Sequence, residues 1–306
     1  MFYQCLELFE KMDAANANTQ EIAGLFAQRN VKNIHMQDVI GPAGKTGFIR
    51  IVIPGSEGKL VGGNKPTLGI IGRLGGIGAR PEIMGFVSDG DGALCALAAG
   101  LKLADMASHG DRLPGDVMVC THICPNAPTI EHQPVRLMGS PVKDAEIGVL
   151  EAAYPADALL SIDTSKGNRI FCRRGFAITP TIKDGYILRV SEDLMDIMGQ
   201  VTGCAPAVLP VTMQDITPYG NGIYHLNSIL QPSVFSAAPV VGVAITSEIP
   251  VAGCATGATQ ISDVEQAARF AVETAKEFTS GRCQFYDTAE LALLQEKYGD
   301  MRILQK

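Results

Sequence analysis

Four short stretches carry the side chains that could do chemistry. SerAspGlyAspGlyAla at 88–93 sets Asp89 and Asp91 just ahead of an apolar run. Both could ligate a metal, or they could cap the following helix and complement its dipole; capping accounts for one of them more easily than for two. ThrHisIleCysProAsnAlaPro at 121–128 holds His122 and Cys124 at strand spacing, which points both side chains the same way. They could be metal ligands, a nucleophile and its base, or simply part of a packed, hydrogen-bonded loop. SerIleAspThrSerLysGlyAsn at 161–168 ends an apolar run on Asp163. AspIleThrProTyrGlyAsnGlyIleTyrHis at 215–225 is a glycine-broken loop in which Tyr219, Asn221 and His225 are candidates, with turn chemistry as the competing explanation.

Two glycine-rich stretches carry no phosphate chemistry. GlyProAlaGlyLysThrGly at 41–47 would need glycine where Val39 stands, and a strand rather than a helix follows it. GlyArgLeuGlyGlyIleGly at 72–78 lacks the dinucleotide GxGxxG spacing, which disfavours a nicotinamide cofactor.

The elements that must position these residues follow from hydrophobic periodicity. Of 306 residues, 46% are hydrophobic and 19% charged, enough for a sizeable core and too few charges for a disordered chain. A net charge of −7 argues against a nucleic-acid surface. No apolar run reaches the roughly 18 residues that cross a bilayer. The acidic, amphipathic start of the chain is unlike a signal peptide. Eight scattered cysteines without a CxxC pair read as reduced thiols in a cytoplasmic protein.

Helices are predicted over 19–28, capped by Asn18, over Ala93–Met106, over Glu192–Thr202, and behind a Ser262/Glu265 capping box, where Val264, Ala268, Ala271, Val272 and Ala275 form one stripe. Strands are predicted over Phe48–Ile53, with a hairpin return at Leu60 and Val61, and over Leu68–Ile71. Others follow the turn at 113–116, over Ala158–Ile162, Gly185–Val190, Val208–Val211 and Val240–Thr246. Continuous apolar strands alternating with helices imply an α/β three-layer sandwich with a mixed, largely parallel central sheet. The expected organisation is a single domain over 1–306, with helices and a hairpin of 1–60 packed on its core. In such a sheet the site lies beyond the carboxyl ends of the strands.

Several of these stretches together resemble the co-catalytic zinc aminopeptidases, single-domain members of the zinc-exopeptidase scaffold. The order of elements from Pro66 to Val119, Asp91 at the bridging-carboxylate position and Asp163 at a later ligand position carry the likeness. So do TyrGlyAsnGlyIleTyrHisLeu and ValValGlyValAlaIleThr with its following helix. The chain departs from that pattern at three ligand positions. Arg73-Leu74-Gly75 replaces His-x-Asp, HisIleCysProAsn replaces a Glu-Glu pair, and no histidine follows His225. More closely, IleAspThrSerLysGlyAsn, AspIleThrProTyrGlyAsnGlyIleTyrHis and GlyCysAlaThrGlyAlaThr resemble a prokaryotic family catalogued as domain of unknown function 1177.

The resemblance implies a hydrolase-like enzyme acting on a small amino-acid or peptide-like molecule, with an altered or lost dizinc site. Asp91 and Asp163 would hold one divalent metal such as zinc, or no metal at all. Arg73, Asp89, Tyr219 and Asn221 would bind substrate, and His122 or Cys124 would do acid–base or nucleophilic work. The alternative is a non-catalytic, metabolite-binding pseudoenzyme on the same scaffold; a racemase or lyase using Cys124 or His122 ranks below both. The expected partners are the small molecule and further copies of the chain, in the cytoplasm, with neither nucleic acid nor membrane.

Overall fold

The structure, a computed structural model, describes residues 1–306. Two helices open the chain, α1 (Phe2–Met12) and α2 (Thr19–Ala27), followed by strands β1 (Asn33–Gly41), β2 (Gly44–Ile53) and β3 (Leu68–Gly72). Helix α3 (Asp91–Ser108) leads to β4 (Val117–Ile123), and the short pair β5 (Thr129–Ile130) and β6 (Leu137–Met138) precedes α4 (Asp144–Ala152). Next come β7 (Ala158–Thr164), β8 (Gly175–Ile178), β9 (Ile182–Lys183), β10 (Tyr186–Ile187) and α5 (Glu192–Thr202). The chain ends with α6 (Pro232–Phe235), β11 (Val240–Thr246), α7 (Ile261–Ser280) and α8 (Thr288–Tyr298).

The main sheet runs β1-β2-β4-β3-β7-β11-β9-β10, with β8 also paired to β11. Its centre, β4-β3-β7-β11, is parallel, and antiparallel strands finish both sides. The central strands are apolar throughout because both faces are covered, and every residue of β3, β4 and β11 is buried. Helices α3 and α7 pack on one another and on the sheet, with α1 against both; α4 and α6 form a second helical layer. One hydrophobic cluster of 67 residues links Cys5 to Phe285. This is the expected α/β three-layer sandwich with its mixed, largely parallel sheet.

Helix Glu192–Thr202 and strand Val240–Thr246 form with the predicted bounds, and Asn18 Oδ1 caps α2 by accepting the Glu21 N–H at 3.0 Å. Other expectations are corrected. The hairpin partner of β2 is not a return strand at Leu60–Val61 but β1, joined to it by the glycine-rich turn at 41–44. Residues 59–61 form a 3-10 turn, pinned by buried Asp116, whose two oxygens accept the Gly55 and Leu60 N–H groups at 2.9 Å. Only Tyr186–Ile187 of 185–190 is strand, and 208–211 contributes a single bridge from Val208 to Ile178. Helix α7 begins after Gln260, so Ser262 lies inside its first turn, where its hydroxyl meets Asp263, while Glu265 pairs with Arg269.

Candidate active site

The ends of β3 and β7 open onto a cavity of about 650 Å³. Its walls are the 73–75 loop, the β5–β6 hairpin, the N-terminus of α4, the 163–170 loop and the 219–228 loop. Close packing brings α3 under the strand ends: a Cβ at Gly72 would sit 2.7 Å from the Ala93 Cα, so only glycine ends β3 there. One residue on, Arg73 turns its side chain into the cavity wall, its own N–H donating to the Ile162 carbonyl at 2.7 Å.

The Arg73 guanidinium is buried and its Nη1 donates to both oxygens of buried Glu151, at 3.1 and 3.0 Å. Its Nη2 is 4.0 Å from Asp144 Oδ1. Burial works against this charge; Glu151 first, then Asp144 and Asp163, overcome it and hold the guanidinium firmly protonated. Asp89, in the turn before α3, faces the cavity with Oδ2 accepting the Gly75 and Gly76 N–H groups, at 2.5 and 3.1 Å. Burial, helped by the charge of Asp163, pushes this carboxyl up to about 7 against the pull of the two amides. Asp163, at the end of β7, accepts the Thr164 N–H at 2.7 Å on Oδ1 and the Ser228 hydroxyl, very closely, on Oδ2. Burial raises it to about 6, against the opposing effects of Ser228 and Arg73.

The loop carrying Ser228 is itself built on a buried acid. Asp215 Oδ1 accepts the Leu226 and Asn227 N–H groups, at 2.8 and 2.9 Å, and Oδ2 accepts the Thr212 N–H at 2.8 Å. Tyr219 stacks beside His225 with ring centroids 4.5 Å apart, and burial raises its phenol. His225 is held by the Thr217 carbonyl at 3.0 Å.

Of the residues singled out in the sequence, Arg73, Asp89, Asp163, Tyr219 and His225 line the cavity together. The other four do not. Asp91 is fully buried beneath it, with Lys166 Nζ at 2.5 Å from Oδ2 and the Thr259 hydroxyl at 2.6 Å from Oδ1. His122 is buried in β4, Nε2 donating to the Leu74 carbonyl at 2.9 Å and Nδ1 facing the Thr46 hydroxyl at 2.7 Å. Those contacts assign the tautomer and leave neither nitrogen for substrate; burial drives the imidazole down to about 4. Cys124 is buried against the Lys45 carbonyl, 3.6 Å away, and burial raises its thiol. Asn221 sits exposed at the loop tip, its Oδ1 accepting the Ile223 N–H at 2.9 Å, which is turn chemistry.

Sequence reasoning missed Ser228, Glu151 and the partnership of Lys166 with Asp91. The lysine stands three residues after Asp163, but nothing in its neighbours announces a partner 75 positions earlier.

The donor set does not fit the dinuclear centre of the zinc aminopeptidases. Asp91, the bridging candidate, has an ammonium where a metal would sit, and no group of three or more His, Cys, Asp or Glu side chains is arranged around a common ion position.

A family model described as a protein of unknown function, DUF1177, matches residues 37–306. The chain belongs to that family. No curated protein matches it significantly. Among solved structures, it is similar to one described as bottromycin maturation enzyme BotP in complex with Mn, at 15% sequence identity and a TM-score of 0.50. The likeness covers 85% of this chain and 65% of that one, so this DUF1177 chain spans a little less than two thirds of BotP's length. At this identity the likeness shows the fold alone, an α/β sandwich with a mixed, largely parallel central sheet.

Proposed function

We propose that this DUF1177 protein is a hydrolase-like enzyme that cleaves a small amino-acid or peptide-like molecule bound in the 650 Å³ cavity. The observation that carries the reading is the pair of cavity carboxyls, Asp163 raised to about 6 and Asp89 to about 7, beside a buried guanidinium. Groups that change charge near neutrality suit proton transfer in both directions. Asp163, largely ionised at pH 7, takes the proton of the attacking group. Asp89, about half protonated there, delivers one to the departing nitrogen. Arg73 supplies a fixed positive charge for a substrate carboxylate or for negative charge developing on a carbonyl oxygen.

BotP is described with Mn. Here the cavity carboxylates are Asp89, Asp144 and Asp163, but Asp89 Oδ2 already accepts two backbone N–H groups, Asp144 lies 4.0 Å from the Arg73 guanidinium, and the three are not grouped around a common ion position. The chemistry proposed therefore uses this chain's own residues. The second reading, a non-catalytic metabolite carrier, draws support from the neutralised Asp91–Lys166 pair.

A panel of dipeptides, acyl amino acids and amino-acid amides, assayed with and without chelator, separates the two. An enzyme turns over at least one of them, and Asp163→Asn lowers that turnover by about 100-fold or more. Saturable thermal stabilisation by the panel without any turnover would leave only the carrier.

A further inference from the structure

We propose that the Ser228 hydroxyl is the nucleophile of the cavity, activated by Asp163; this deepens the hydrolytic reading above and rests on it. Ser228 lines the cavity and donates its hydroxyl hydrogen to Asp163 Oδ2, the arrangement of a nucleophile and its base. The base is oriented in turn, since Asp163 Oδ1 is fixed by the Thr164 N–H. The nucleophile is equally fixed. Its predecessor Asn227 is tied to buried Asp215, and its successor Ile229 packs so tightly on β11 that a Cβ at Gly242 would approach it to 3.0 Å. Among the other cavity hydroxyls, Thr164 donates to the Ser88 carbonyl, and Ser140, Ser165 and Tyr224 make no hydrogen bond to a carboxylate. The Tyr219 hydroxyl lies beside Ser228, and Arg73 is near both Tyr219 and Asp163. A phenol and a cation thus border the Ser228–Asp163 pair and are the groups at hand for charge developing on a substrate carbonyl oxygen.

The step balances without an outside reagent other than water. The Ser228 Oγ–H bond breaks as Oγ bonds to the carbonyl carbon; the proton passes to Asp163 Oδ2 and the π electron pair to the carbonyl oxygen. Collapse of that adduct breaks the C–N bond, and the amine leaves with the Asp89 proton; Asp163 then gives the serine proton up to solvent and Asp89 regains one, so both carboxyls are reset. Water then adds to the Ser228 ester, giving one proton to Asp163 and releasing the acid as Ser228 recovers its hydrogen.

Diisopropyl fluorophosphate tests this on the full-length protein, because Oγ–P bond formation expels fluoride and sends the same proton to Asp163. The expected result is one adduct per chain, mapped to Ser228 by peptide mass spectrometry. Ser228→Ala should abolish it with an unchanged melting temperature, and Asp163→Asn should slow it by about 100-fold. A hydroxyl that merely held Asp163 in place would not be phosphorylated. Failure to label Ser228, or equal labelling of Ser228→Ala, overturns the proposal. A Ser228→Ala protein that hydrolyses a panel substrate within a few-fold of the parent rate also overturns it, while leaving the hydrolytic reading standing.

Discussion

Asp91 and the cavity carboxyls lie near the same strand ends, and burial raises all three, yet their partners differ. Asp91 is fully buried and has an ammonium 2.5 Å away, with a hydroxyl on its other oxygen. Asp89 and Asp163 receive hydrogen bonds only from neutral groups, two amides in one case and an amide and a serine in the other. Burial raises all three carboxyls; at Asp91 the Lys166 ammonium opposes it directly, whereas at Asp89 and Asp163 the amides and the hydroxyl offset it only in part and the carboxyls rise to about 7 and about 6. The matched pair is architecture; the unmatched pair is where protons can move.

The largest effect should come from breaking the matched pair. Lys166→Met leaves Asp91 buried without its cation and should cost about 3–5 kcal/mol of stability in denaturant or thermal unfolding. Adding Asp91→Asn should recover most of that loss, because no uncompensated charge remains and Thr259 still has an oxygen to donate to. If the double variant were as unstable as the single one, Lys166 would be stabilising something other than Asp91.

The unmatched pair should show itself in pH dependence. If Asp163 is the base and Asp89 the acid, kcat/KM should rise as pH passes about 6 and fall beyond about 7, a narrow bell whose limbs belong to the coupled pair. Each limb should approach a tenfold change per pH unit. Asp89→Asn should remove the alkaline limb, and a profile still falling above pH 7 in that variant would place the acid elsewhere.

Stability should carry the same signature more weakly. Both carboxyls titrate above their ordinary value near 3.8 in the folded chain. Between pH 4 and 7 the folded state therefore binds more protons than the unfolded one, and stability falls as pH rises through that window. Because Asp89 partly faces the open cavity, the relief from Asp89→Asn at pH 8 should be modest, on the order of 1 kcal/mol. Melting curves of parent and variant should converge at pH 4 and separate with increasing pH.

The contrast also explains what could be read from the chain. Continuous apolar runs at 68–71, 158–162 and 240–246 mark strands that are buried on both faces, so their ends, and with them Arg73 and Asp163, were legible. Strand β1 was not, because it is an edge strand whose residues are mostly exposed and carry no alternating pattern. Ser228 sits in an undistinguished AsnSerIleLeu and gains its meaning only from a carboxylate 65 positions away. His122 and Cys124 misled for the converse reason: both are buried beside the neighbouring strand β2, where the Thr46 hydroxyl and the Lys45 carbonyl engage them.

The smallest effect should come from those two residues. Cys124→Ala removes one buried sulfur and should cost about 1 kcal/mol of stability, with kcat/KM within about twofold of the parent. His122→Gln should likewise leave the pH profile unmoved, since an imidazole driven down to about 4 is neutral across the working range and both its nitrogens are engaged. Loss of an entire limb in His122→Gln, or a hundredfold fall in turnover in Cys124→Ala, would shift the chemistry from the ends of β3 and β7 to the end of β4. The contrast between matched and unmatched carboxyls would then describe charge storage rather than catalysis.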